Sequence, residues 1–127
     1  MGKTIIHTPQ APAPIGPYSQ AVKVGALLMI SGQICIDPQT NELVAGDVQT
    51  ETRQVMENLG AILREAGIGF AQVVKSTIFL SDMQFFSEVN EVYGSYFVGE
   101  YPARETVAVK GLPKGVRVEI SMLATLS

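Results

Sequence analysis

The stretch YPARETVAVKGLPKGVRVEI, residues 101–120, alternates side-chain character at every second position, and that period belongs to extended strands. Successive strand side chains point to opposite faces, so such a run lies half in a core and half out of it. In its later part and just beyond, Val116, Val118, Ile120, Met122 and Ala124 share one face, while Arg117, Glu119, Ser121 and Thr125 share the other. In its earlier part Arg104, Thr106 and Ala108 lie opposite Val107 and Val109. The connection from Leu112 to Gly115 is turn-like, so the stretch reads as a hairpin with Arg104 opposite Leu123 and Ala108 opposite Glu119. This register predicts Arg104 and Glu119 on one face, four residues apart, or roughly 13 Å. One small ligand cannot span that gap. If both residues touch the same molecule, a neighbouring copy of the chain supplies one of them.

The rest of the chain supplies partners for these strands. KTIIH (3–7) reads as a short strand, and TPQAPAPIGPY, with four of the seven prolines, as an ordered loop. A strand runs to Val24, Gly25-Ala26 turns, and LLMISGQI (27–34) is apolar enough for a central strand. Asp37-Pro38 and Thr40-Asn41 mark a loop. From Val48 to Ala66 the period becomes helical, with Val55, Met56, Leu59, Ile62 and Leu63 on one face, Asp47 as N-cap and Gly67 closing the C-terminus. QVVKSTIFLSD (72–82) is a β-branched strand, and Ser81 or Asp82 caps a second helix over about 84–97. That helix carries the apolar set Phe85, Phe86, Val89, Val92, Tyr93, Tyr96 and Phe97, read as core packing.

The order β-β-β-α-β-α-β-β predicts one domain over residues 1–127: a two-layer α/β (α+β) sandwich, a six-stranded mixed sheet with two helices on one face. Nothing in the sequence covers the other face, which predicts self-association with C2 or C3 symmetry equally served. Hydrophobic residues make up 46% and charged ones only 17%, which fits a small domain that hides part of its surface against another copy.

Composition excludes several classes. A net charge of −3 with no basic run leaves no electrostatic footprint for nucleic acid. No apolar run approaches the ~18 residues a membrane span needs, and MGKTIIHTPQAP lacks the build of a signal peptide. Ile6 stands where a myristoylation signal beginning at Gly2 would want Ser or Thr. The single Cys35 cannot form an internal disulfide, which suits the cytoplasm, and it reads as a packed free thiol. With one histidine, His7, and one cysteine, neither an ordinary zinc site nor a Ser–His pair is expected.

The blocks IGPYSQA (15–21), ISGQI (30–34), VNEVYGSYF (89–97), YPAR (101–104) and GLPKGVRVEI (111–120) resemble, in order and spacing and over essentially the whole chain, the RidA/YjgF family of enamine/imine deaminases. The resemblance implies a chorismate-mutase-like fold and a homotrimer with ligand clefts between subunits. It also implies cofactor-free, metal-free hydrolysis of 2-aminoacrylate and 2-aminocrotonate, released by pyridoxal-phosphate enzymes, to 2-keto acids and ammonia. The expected ligand is thus a small 2-imino or 2-keto acid. Its planar carboxylate suits the guanidinium of Arg104. Glu119 would move a proton to and from water, and Tyr18 would offer a hydroxyl. Ser31, Gly32 and Thr106 would form the cleft wall, with Asn90 contributing from the second helix.

Each of these residues also has an ordinary reading. Arg104 would be a surface ion-pair partner, Glu119 a partner of Arg117 or Lys110, Tyr18 a half-buried aromatic, Ser31-Gly32 a strand-end turn and Asn90 a surface amide. Two positions depart from the family pattern: Thr106 stands where many members have cysteine, and Glu105 where a small or apolar residue is usual. A carboxylate beside Arg104 would compete with an anionic substrate, although alternation turns Glu105 to the opposite face. A non-catalytic 2-keto acid sensor and a deaminase of a larger enamine use the same residues. An RNA-cleaving translation inhibitor, the remaining alternative, is disfavoured by the acidic charge.

Overall fold

Strand and helix periods divide the chain as the residue pattern dictates. The computed structural model describes residues 2–127. In chain order these form β1 (Thr4–Ile6), β2 (Ala21–Val24), β3 (Leu27–Gln33), β4 (Ile36–Asp37), β5 (Glu42–Leu43), α1 (Val48–Glu65), β6 (Val73–Leu80), α2 (Phe86–Gly94), β7 (Ala103–Ala108) and β8 (Val118–Thr125). Asp47 caps α1, its Oδ1 accepting from the Thr50 backbone N–H at 2.8 Å. Gly67, at φ +81°, closes the helix. Its N–H donates to Arg64 O (2.9 Å) and that of Ile68 to Leu63 O (3.0 Å), which is the pair of bonds a left-handed C′ residue allows.

Among the described residues the main sheet has six strands in the order β1-β2-β3-β8-β6-β7, and both helices lie on one face of it. This is the predicted two-layer architecture. The core lies between the layers: Val55, Met56, Leu59, Ile62 and Leu63 of α1 meet Leu28 and Ile30 of β3, Ile78 and Leu80 of β6, and Val118, Ile120 and Met122 of β8. The other face carries a row running across all six strands, Ile5, Val22, Met29, Leu123, Lys75 and Ala103, in direct cross-strand register.

The predicted hairpin is not formed. Strand β6 sits between β7 and β8, parallel to the first and antiparallel to the second. Physically, β6-α2-β7 is a crossover unit, whose helix returns the chain to begin a parallel strand; β8 then takes the free edge of β6. Through Ser76, Arg104 is in line with Met122 rather than Leu123, and through Leu80, Ala108 is in line with Val118 rather than Glu119. A one-residue change of register exchanges faces. Arg104 therefore lies on the helix side and Glu119 on the open side, and the expected shared face is overturned.

Two smaller corrections concern loops and ends. The 37–41 loop is the tip of a short β4–β5 ladder, with Asn41 at φ +63°. The second helix is shorter than predicted: a 3-10 turn, Met83–Phe85, precedes α2, and Asp82 caps that turn through Gln84 N–H at 2.8 Å. Beyond Gly94 the backbone bonds tighten to i→i−3, and the Ser95 hydroxyl takes the Val92 carbonyl at 2.6 Å. Phe97 still packs inward, 4.9 Å from the Tyr93 ring and 5.6 Å from Phe70.

Buried polar side chains fasten the loops to this frame. Gln20, inside IGPYSQA, accepts from Thr8 N–H (2.7 Å) and donates to Thr8 O (3.0 Å) and Pro12 O (2.9 Å), so it pins the proline-rich loop. Asn58 of α1 donates to Ile34 O and Ile36 O at 3.1 and 2.9 Å. Buried Glu51 pairs with Arg117, whose guanidinium also meets Gly46 O, and so ties β8 to the start of α1. Next to Glu51, Cys35 is buried as expected, and burial, followed by the nearby Glu51 carboxylate, pushes its thiol up to about 11. Replacing Gln20 by alanine strands several backbone groups in the interior. It should lower unfolding free energy by about 2–4 kcal/mol in urea denaturation, well above a surface substitution.

Candidate active site

Arg104 reaches from edge strand β7 into a hollow of about 340 Å³ bordered by Asn90, Tyr93, Gly94, Tyr101 and Pro102. Its Nη1 donates to Asn90 Oδ1 at 2.6 Å, and its Cζ lies 5.6 Å from the Phe86 ring centre and 5.4 Å from that of Tyr93. Phe86, Asn90 and Tyr93 are spaced i, i+4, i+7 on α2 and so share one face. The two ion pairs among the described residues are Lys75–Glu105 and Arg117–Glu51, which leaves Arg104 without a carboxylate. A guanidinium held by rings and one amide oxygen keeps donors for an incoming anion.

Glu119 belongs to a different hollow, about 380 Å³, lined by Ile15, Tyr18, Ser31, Gly32, Ile34 and Pro113. Ser31 and Gly32 form a β-bulge, two residues of β3 opposite Ser121 alone. They are not a strand-end turn. A Cβ on Gly32 would overlap Glu119 Oε2 and lie 2.9 Å from Cδ, so only glycine leaves the notch in which this carboxylate sits. Burial raises the Glu119 pKa above its ordinary value, and no hydrogen bond or ion pair among the described residues offsets it. Neither Arg117 nor Lys110 is its partner.

Tyr18 opens onto the same hollow. Its oxygen accepts from Ile15 N–H at 3.2 Å, which leaves its own O–H to donate elsewhere. Ser31 donates to Ser19 O at 2.6 Å, so only its lone pairs face the cleft. Thr106 lies two residues from Arg104 on the helix side, and its Oγ1 is buried with no hydrogen-bond partner among the described residues. Glu105 points to the open face and binds Lys75 at 2.8 Å, so it does not neutralise Arg104.

The structure thus gathers Glu119, Tyr18, Ser31 and Gly32 around one hollow, and Arg104 and Asn90 around another. Thr106 shares the helix side with the second. Arg104 and Glu119 lie on opposite sides of the sheet, on strands flanking β6, or about 10 Å apart across the ladder before the offset along it. Phe86 and Tyr93 were missed as site residues because their helix spacing matches core packing. The discriminating signal was Asn90 between them, a polar residue on an otherwise apolar face. Among the described residues no cluster of three or more His, Cys, Asp or Glu could hold a metal, and no helix is long and apolar enough to cross a membrane.

Residues 8–126 match the family model described as Endoribonuclease L-PSP. The chain belongs to the RidA/YjgF family. It is 50% identical over 122 residues to the mouse 2-iminobutanoate/2-iminopropanoate deaminase, covering 96% of this chain and 90% of that one. A Yersinia pestis protein of the conserved Rid family superposes with TM-score 0.95 at 46% identity, covering 98% and 99% of the two chains. Escherichia coli TdcF with bound serine superposes with TM-score 0.93 at 42% identity, over the same shares. The neighbours establish the chorismate-mutase-like fold.

The notch at Gly32 makes a direct prediction. In Gly32→Ala the new methyl drives the Glu119 carboxylate out toward solvent. Its pKa, followed by carbon-detected NMR, should fall toward the ordinary glutamate value of about 4.3, while the fold persists.

Proposed function

We propose that this protein is a cofactor-independent deaminase of small 2-imino acids and that its cleft is completed by a second copy of the chain. The observation that carries the reading is the pair of complementary half-sites, an anion-ready Arg104 on one side and a desolvated Glu119 on the other. Neither suffices alone. A homotrimeric ring lets each copy offer one half to the neighbour on either side, and the apolar row of Ile5, Val22, Met29 and Leu123 gives the open face a reason to associate. The mouse relative is named for this activity. TdcF holds serine, whose carboxylate and α-nitrogen are the groups a 2-imino acid presents.

In this mechanism an enamine first shifts a proton from nitrogen to C3 and becomes the 2-imino acid. Arg104 holds its carboxylate through paired N–H donors. Glu119 takes a proton from water as the water oxygen bonds to C2, and Tyr18 orients that water. That proton passes to nitrogen and gives a 2-hydroxy-2-amino acid. Glu119 then carries the hydroxyl proton to the amino group, and the C–N bond breaks as C=O forms, releasing ammonia and a 2-keto acid. The imine is already electrophilic, so orientation and one proton carrier supply what is needed. Such chemistry belongs with the pyridoxal-phosphate enzymes of the cytoplasm.

The test is keto-acid release from 2-aminoacrylate and 2-aminocrotonate generated in situ by a serine/threonine dehydratase. Wild-type protein should accelerate it, and Arg104→Ala should lose at least about 100-fold in kcat/KM. Glu119→Gln should abolish turnover yet still bind 2-ketobutyrate; unchanged turnover would remove Glu119 from the mechanism, and a wild type that binds 2-ketobutyrate without accelerating hydrolysis would be a binding module. The wild-type rate should rise with pH through an inflection above the ordinary glutamate range.

The stability of Glu119→Gln carries a sign of its own. A raised folded pKa means that folding disfavours the carboxylate at neutral pH. The substitution should therefore raise Tm at pH 7, and the gain should vanish as pH falls below the unfolded glutamate value, where both states are protonated.

A further inference from the structure

Tyr93 and Ser76 form a buried polar pair inside an apolar layer. Ser76 is 0% exposed and Tyr93 3%, and the Tyr93 hydroxyl donates to Ser76 Oγ at 2.8 Å. Phenylalanine facing alanine would serve this layer without any buried hydroxyl, and stability alone gives little reason to prefer the pair. Its geometry suggests a different task. Ser76 is the cross-strand partner of Arg104. The ring that Ser76 holds is the one 5.4 Å from the Arg104 guanidinium carbon. Strand, hydroxyl pair, ring and guanidinium thus close a loop.

Phe86, on the other flank at 5.6 Å, has no polar atom through which it could be tethered. Asn90 fixes one terminal nitrogen but leaves the guanidinium plane free to turn about that bond. Only Tyr93 combines contact with the guanidinium and a polar anchor in the sheet. We propose that Tyr93, held by Ser76, is a positioning residue that sets the plane of the Arg104 guanidinium for a carboxylate; this rests on reading the cleft as a 2-imino acid site. Bidentate recognition of a planar anion depends on that plane. In that reading the proton carrier of the same cleft is the Glu119 of a second copy, which the Tyr93–Ser76 pair does not touch, so the effect falls on carboxylate binding and spares the proton-transfer step.

The experiment compares wild type with Tyr93→Phe, Ser76→Ala and the double variant in the native oligomer. It measures the Kd of 2-ketobutyrate by calorimetry, KM and kcat in the dehydratase-coupled assay, and Tm. Each single variant should raise Kd and KM roughly ten-fold, the scale of one buried hydrogen bond, with kcat within about two-fold of wild type. The double should be no worse than either single, because both remove the same bond. The uncharged 2-ketobutyramide should bind all four proteins alike.

Unchanged Kd and KM in the single variants would overturn the proposal. So would losses that add in the double or that scale with loss of Tm, and so would equal losses for the amide. If wild type binds 2-ketobutyrate but turns over no imine, the deaminase reading fails, and the Kd comparison still decides the role of Tyr93.

Discussion

Strand β6 is hydrogen-bonded on both edges, and the placement of the candidate site follows from that. With β7 on one side and β8 on the other, the parity of the two registers decides which face each side chain joins. It sends Arg104 under α2 and Glu119 to the open face. No rotamer change in one chain can bring them onto a single small molecule. The division also isolates their electrostatics: the unpaired guanidinium sits on one side of the sheet, and the Lys75–Glu105 pair lies on the other.

The frame and the site satisfy their polar groups to different degrees. Gln20, Asn58 and Glu51 are buried and each meets two or more partners, many of them backbone groups of loops that would otherwise be free. The candidate site is under-partnered by comparison. Glu119 is desolvated without a compensating donor, Thr106 has an orphan hydroxyl, and the one hydrogen bond of the Arg104 guanidinium goes to a neutral amide. Local incompleteness of this kind is tolerable where the surrounding structure over-determines position. Here the over-determination comes from the β-bulge at Ser31-Gly32 and from the ring pair around Arg104.

The sequence made the elements legible and their adjacency less so. Helix α1, its Asp47 cap and its Gly67 stop follow from period and local chemistry, and the structure reproduces them to within a residue. The alternation in 103–108 and 118–125 correctly sorted residues within each strand. Pairing is a tertiary matter, and the turn at 112–115 suggested a neighbour that β6 displaced. Within-strand alternation was enough to turn Glu105 away from Arg104, as found. It could not relate Arg104 to Glu119, since faces on two strands are comparable only once the register between them is known. Asn90 was visible as a candidate, but its contact with Arg104 depends on α2 crossing over β7, which no local pattern encodes.

Cys35 has a consequence for chemical durability. A thiol with a pKa of about 11 holds roughly one molecule in ten thousand as thiolate at neutral pH. The only thiol in the chain is therefore nearly inert toward alkylating agents and thiol oxidants at neutral pH. Held uncharged in the interior, the Cys35 sulfur can pack as though it were a methylene group.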